Sequence, residues 1–425
     1  MMKLKDINKI LKANKKISDY EIISSKKESS ELFFVLKKLE INRATSTESI
    51  SINVYVDSKD LRGSSTVLVT SADDERSFNK KVNDAIKKAK SALNKYYPLS
   101  CNQKKIDNKL SKTEDLNQLA KKVADAILKA DHYKKGWINS TEVFVSRTTL
   151  EFINSNGVKQ KEERLNIEFE IIPTWSNEKE EFELYKYYKS NKLDSKAITA
   201  EVEEILNLAK ARSNAVKLNK VKIKKGTPVL IQGEMANLIV DTIEENATYM
   251  SKFMHQNHYE LKDAVSNNKF DLTLKSNIKG CFNSRSFDGN GVTLSSKKLI
   301  KEGKLVNNYG DIRFGYYLLN DASKVSGNYS VCQISNYDTF AYKRKPHIII
   351  DHFSSPQMEA DSGYFGGEVR LARYVDGKKY IPLTSFTLSG NIYDALKDVK
   401  FSKEEVTTNS YKGPKYFIFD TLKLS

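Results

Sequence analysis

The chain has 425 residues, enough for two or three domains and a large core, and with 39% hydrophobic and 10% aromatic residues it is too apolar to be disordered. Its formal net charge of +16 raises nucleic acid as a partner, but the excess is mostly lysine, spread along the chain and mixed with Asp and Glu. No zinc finger, RNP-like aromatic motif or arginine-rich arm accompanies it, which argues against specific nucleic-acid recognition.

The N-terminus has no apolar h-region, and no apolar run reaches bilayer-spanning length. Met2, Leu4, Ile7 and Leu11 predict a short amphipathic helix instead. Ile50, Ile52, Val54 and Val56 alternate as in a half-buried strand, and Thr66–Val69 reads as a second, with Arg62-Gly63-Ser64 in the turn before it. Ser77 is read as the N-cap of a helix with Val82, Ile86, Ala89 and Leu93 on one face, ended by Pro98. A helix is expected from Leu116 to Ala130, then strands over Glu142–Phe152 and Leu165–Ile171, joined by the hairpin signal Asn156-Gly157. A strand over Phe182–Tyr188 and a helix capped by Ser195, with Ile198, Val202, Ile205 and Ala209 inward, complete the first half. Strand, strand, helix thus occurs twice, which suits an internal duplication or two generic α/β units. The expected units are 1–100, an N-terminal α/β domain, and 101–219, a central segment repeating it or not.

Beyond 220 the chain becomes strand-rich and glycine-punctuated. Hairpins are read at Leu299–Val306 and Tyr374–Ile381, and a buried strand at His347–Ile350. The expected fold is α+β, with 220–425 a curled, barrel-like mixed sheet. A strand, Val229–Ile231, feeds a helix whose apolar stripe is Met235, Ile239 and Ile243, widened by Leu238 and Val240. That helix carries Asp241, Glu244 and Glu245 and no histidine. A zinc-peptidase helix needs two imidazoles on one side and a carboxylate base nearby, so local chemistry gives no zinc site. His255 and His258 stand three apart with Glu260 beyond, spacing for a metal pair on a helix, but their polar surroundings read as solvated surface. The three cysteines, Cys101, Cys281 and Cys332, are separated and odd in number, which points to a reducing cytoplasm without a disulfide framework.

Three stretches are more particular: Asn283–Val292, with Ser284, Arg285 and Asp288; Asp361–Arg370, with Gly363, Gly366, Gly367 and Arg370; and Leu388–Ile392, with Ser389, Gly390 and Asn391. Glycine allows close backbone approach, and an arginine can hold a peptide carboxylate. Tight turns with a structural ion pair explain the same residues. Their order and spacing resemble the TldD/PmbA family, proteins once called modulators of DNA gyrase and now regarded as peptidases. Val143–Thr148 leading to Asn154–Gly157, and Ser326-Gly327-Asn328, resemble further family segments.

In that family the TldD kind carries His-Glu-x-x-x-His on a helix, with a later cysteine as a further zinc ligand. The PmbA kind, also called TldE, lacks them and pairs with the first. The resemblance puts Val240 and Glu245 at the two histidine positions and Asp241 at the glutamate, and no cysteine near Gly367–Val369. It therefore implies a zinc-less PmbA-type subunit that binds no cofactor itself. Its expected partners are a TldD-type subunit, or a second copy, and unfolded peptide. The Gly363–Tyr374 strand is the expected edge for an extended peptide, with the candidate residues of the three stretches lining the cleft. Two alternatives stay open: a free-standing peptide-binding homodimer, and a hydrolase rebuilt on Asp241, Glu244 and Glu245, with or without a hard cation.

Overall fold

The computed structural model describes residues 2–111, 114–377 and 379–425. Its first half is built on four unusually long antiparallel strands. β1 (Asp19–Val35) pairs with β2 (Lys38–Ser58) on one side and β4 (Gly136–Asn154) on the other. β3 (Leu61–Val69) extends the sheet beyond β2, and β5 (Lys159–Ser176) extends it beyond β4. The two expected segments therefore share one nine-stranded sheet. Each half of that sheet has its own core. Helices α1 (Leu4–Ala13) and α2 (Glu75–Ser91) cover one, and α3 (Leu116–Ala130) and α4 (Ser195–Ser213) the other. β3 joins β2 only along residues 50–58, so residues 38–49 of β2 pair with β1 alone.

Several boundaries differ from expectation for physical reasons. Asp74 and Asp194 cap α2 and α4 in place of Ser77 and Ser195, their carboxylates accepting from Ser77 N at 2.8 Å and Ala197 N at 3.1 Å. A carboxylate satisfies an orphan N–H and complements the helix dipole as well. Arg62-Gly63-Ser64 lies inside β3, not in a turn. Arg62 is buried at 1% exposure because Asp57 and Asp19 neutralise it. α2 stops at Ser91, ahead of Pro98, because the chain then adds a short strand, Leu93–Lys95, to β3.

The second half holds a ten-stranded and a six-stranded sheet, both mixed and neither closed into a barrel. β6 (Val229–Ile231) lies inside the larger one, parallel to β9 (His347–Phe353) and antiparallel to Phe417–Phe419. The smaller sheet contains β7 (Asp271–Lys275) and β8 (Val331–Ser335). Helix α5 (Gly233–Asn246) follows β6. Its Met235, Ile239, Val240 and Ile243 share one core with Leu272 and Cys332 of the smaller sheet and Ile350 and Phe365 of the larger. The 3.6-residue stripe is thus legible as the side of α5 that joins the two sheets.

β10 (Tyr364–Asp376) is not an exposed edge. It pairs with Gln357–Met358 and β9 on one side and with β11 (Phe386–Asn391) and Lys379–Thr384 on the other. Its backbone groups are spent on those neighbours, which corrects the expectation of a peptide-accepting edge there.

Candidate functional site

The polar face of α5 opens on a cavity of about 420 Å³. Glu234, Asn237, Leu238, Asp241 and Glu244 line it, spaced three or four residues apart as one helix face requires. The facing wall comes from distant loops: Asn283, then Tyr329 and Ser330 before β8, then Asn409 and Ser410. Hydrogen bonds knit these pieces together. Asn237 Oδ1 accepts from Thr408 Oγ1 at 2.8 Å and Ser410 Oγ at 3.2 Å. Asn283 N donates to Asn409 O at 3.0 Å, and Cys332 N to Ser410 O at 2.8 Å.

Glu244 is 8% exposed, and its Oε1 meets no donor. Burial pushes its carboxyl up to about 8, against the lowering effect of the neighbouring Cys332 thiol. Asp241 reaches solvent at the rim, yet desolvation by the surrounding wall and the nearby charge of Glu245 push it up to about 6. Cys332 is fully buried and its thiol held well above the ordinary value, so it is neither a thiolate ligand nor a nucleophile.

Of the three positions that the resemblance equates with the zinc motif, only Asp241 lines the cavity. Val240 is buried in the core and Glu245 is exposed. His255 and His258 fall in the turn after the short helix Tyr249–Phe253, not on a helix. His258 stacks on Tyr393 with ring centroids 3.8 Å apart. Among the described residues, no group of three or more His, Cys, Asp and Glu is placed to hold a metal ion. Val240 offers no donor atom and Cys332 no thiolate, so this set does not fit zinc.

The three particular stretches separate. Ser284 is buried and bonds within its own turn, to Ile278 N, Ile278 O and Cys281 O. Asp288 does not pair with Arg285. It accepts from the backbone N–H of Asn290, Val292 and Asn328, each at 2.9 Å. Arg285 is exposed beside Arg164. This loop is where the two halves dock: Ser286 N donates to Glu162 Oε2 at 2.9 Å, Gln160 Nε2 donates to Thr293 Oγ1 at 3.0 Å, and Phe152 packs on Phe287.

The glycines of β10 serve strand packing. A Cβ on Gly366 would meet Leu388 O at 2.2 Å, and one on Gly363 would meet Tyr393 and Asn391 within 3 Å at a backbone φ of +73°. Gly367 faces the Ser355 carbonyl in the same way. Ser389 and Gly390 pair with Gly366 and Phe365 in the ladder. Asn391 caps the helix Ile392–Lys397, accepting from Tyr393 N at 3.0 Å. Arg370 is exposed beside Arg212. None of these lines the cavity. The residues that sequence reasoning passed over, Asn237 and the loop residues Tyr329, Ser330, Asn409 and Ser410, divide by cause. Asn237 stands one helical turn before Asp241 and was within reach of periodicity. The loop residues arrive through the pairing of β8 with Tyr411–Pro414 and carry no local signal.

Fold and site together define an α+β protein with an acid-lined cavity beside the helix that joins two mixed sheets. The architecture is that of TldE from Thermococcus kodakarensis, 14% identical, with 99% of each chain covered and a TM-score of 0.77. Candidate modulators of DNA gyrase from Thermotoga maritima (12% identical, 96% of each chain, TM-score 0.76) and Bacteroides thetaiotaomicron (14% identical, 96% of this chain and 95% of that one, TM-score 0.78) share it. Residues 225–424 match the PmbA/TldA metallopeptidase C-terminal domain. Over those residues the chain is similar to the TldD/PmbA family. No curated protein matches it. Among the described residues, no helix is long and apolar enough to cross a membrane.

Proposed function

We propose that this chain is a non-catalytic, PmbA/TldE-type subunit of a cytoplasmic peptidase complex that processes unfolded peptides. A TldD-type partner supplies the zinc, and this chain contributes cavity wall and binding surface. The donor chemistry of α5 carries the reading: its cavity face offers carboxyls and amides with no imidazole, on a helix whose family equivalent bears the zinc motif. A subunit so equipped shares in peptide cleavage by shaping a chamber. Co-expression with a TldD-type protein that keeps both histidines tests this. Co-purification is expected, with zinc in the partner and peptide hydrolysis only by the mixture. Zinc-dependent hydrolysis by this chain alone would overturn it.

A second reading draws on Asp241 and Glu244. Two carboxyls pushed up to about 6 and about 8 in one cavity suit general acid–base chemistry near neutral pH. It predicts metal-independent hydrolysis by the isolated chain, abolished in Glu244→Gln.

A further inference from the structure

The cavity under α5 contrasts with the rest of the molecule. The chain carries a formal +16, yet the lining includes Glu234, Asp241 and Glu244 and no Lys, Arg or His. Several other buried acids hold donors: Asp351 holds Arg373, Asp271 holds Lys298 and Asn336, and Asp288 takes three backbone N–H groups. Glu21, Asp131 and Glu162 also keep one oxygen without a hydrogen-bond donor, but Glu21 takes the Tyr55 hydroxyl, Glu162 takes Ser286 N, and Asp131 lies beside the Lys37 ammonium. Glu244, more than nine-tenths buried, has an oxygen with none. A second cavity, between α4 and Arg373, differs in kind: Arg373 is already bound by Asp351, and Glu204 by Lys415.

A buried acceptor without a donor is costly, and a ligand that brings N–H groups and positive charge relieves that cost. A hard cation needs six or more oxygens in a tight shell, and no group of three acids among the described residues is close enough to begin one. An ammonium group has three donors and needs only a few acceptors. The side-chain amides of Asn237, Asn283 and Asn409 stand around the acids and match the hydrogen-bonding pattern of peptide units. The volume, about 420 Å³, lies in the range of small-ligand sites.

We infer that this cavity captures the free amino terminus of a short peptide, Glu244 and Asp241 accepting from its ammonium group and the asparagines pairing with the first peptide units. The inference deepens the peptide-handling reading and takes its ligand class from it. Calorimetric titration of the purified chain with tri-alanine, N-acetyl-tri-alanine and calcium chloride tests it. Tri-alanine is expected to bind at least about tenfold more tightly than its acetylated form, and Glu244→Gln to remove most of that advantage without lowering the melting temperature. Glutamine keeps the shape of glutamate, so a melting temperature that does not fall separates the lost carboxyl from a lost fold. Asp241→Asn, at the rim, should weaken tri-alanine less. Equal affinity for the two peptides, binding of neither, or calcium binding that Glu244→Gln abolishes would each overturn the inference. A mixed complex that cleaves long peptides while tri-alanine fails to bind would remove this subsite and leave the subunit reading standing. Amino-terminal discrimination by a chain that joins no peptidase would do the reverse.

Discussion

Gly291 sits in the docking loop at φ +74°, and a Cβ there would fall 2.3 Å from the Phe152 ring. Backbone strain and overpacking act together, so Gly291→Ala is expected to cost about 2 kcal/mol or more by urea denaturation. Gly289, two residues away, has nothing within 4 Å of its added Cβ, and Gly289→Ala should change stability by less than about 0.5 kcal/mol. Glu244 makes a prediction about pH. Its carboxyl rises from an ordinary 4.5 to about 8 in the folded chain. Below about pH 4.5 it is protonated folded or unfolded and costs nothing. As pH rises the unfolded chain ionises first, so its contribution is lost progressively up to about pH 8. Glu21 shifts the same way, to about 7, so the informative quantity is the difference between wild type and Glu244→Gln. Measured by urea denaturation, that difference should grow in favour of the variant between pH 5 and 8. A constant difference would mean that Glu244 ionises normally.

Arg62 ties its element to two others. From inside β3 it bonds Asp57 of β2 and Asp19 of β1, and its guanidinium lies 4.6 Å from the Tyr96 ring centre. Arg62→Met would leave two carboxylates without their cation. Both are partly exposed, so the expected loss is about 2–3 kcal/mol in thermal or urea denaturation rather than the full cost of a buried orphan charge. Asp74→Ala should cost about 1 kcal/mol by removing the cap of α2. Such elements also show what sequence reveals. Helix stripes were legible because burial on one face imposes a 3.6-residue period: Ile198, Val202, Ile205 and Ala209 are all buried. β1 was not, because its run of Ser, Lys and Glu between Ile23 and Leu32 carries no steady alternation. Arg62 was misread because Arg-Gly-Ser resembles a turn locally, and only distant Asp19 makes the arginine a core residue.

At the scale of the whole chain, α+β architecture and a strand-rich second half follow from composition shifts and hairpin signals, whereas an open rather than barrel-like sheet depends on long-range closure that no local pattern encodes. The candidate site was half legible. Asp241 and Glu244 stand out as acids on an apolar-striped helix, but their separation into a rim group and a buried one is set by loops distant in sequence, from Asn283 to Ser410. Association is the property to measure here. Sedimentation at micromolar concentration should show the chain shifting into a larger species with a TldD-type partner. A monomer in both samples would leave the shared chamber without a basis.

The long margin of β2 sets a condition on that partnership. Residues 38–49 have β1 on one side and no strand on the other among the described residues, and Leu39 and Ile41 are exposed along it. An unpaired strand of this length is a template for stacking of copies into aggregates, and what opposes it is charge: Lys38, Glu40, Arg43 and Glu48 occupy the same run. A Lys38→Val, Glu40→Val double variant, which removes an exposed pair, should fold with its sheet intact and lose solubility, visible as light scattering that rises with concentration. On the proposed reading the chain has to stay well dispersed before it meets a partner, and the alternating charges on β2 are the sequence feature that would oppose stacking.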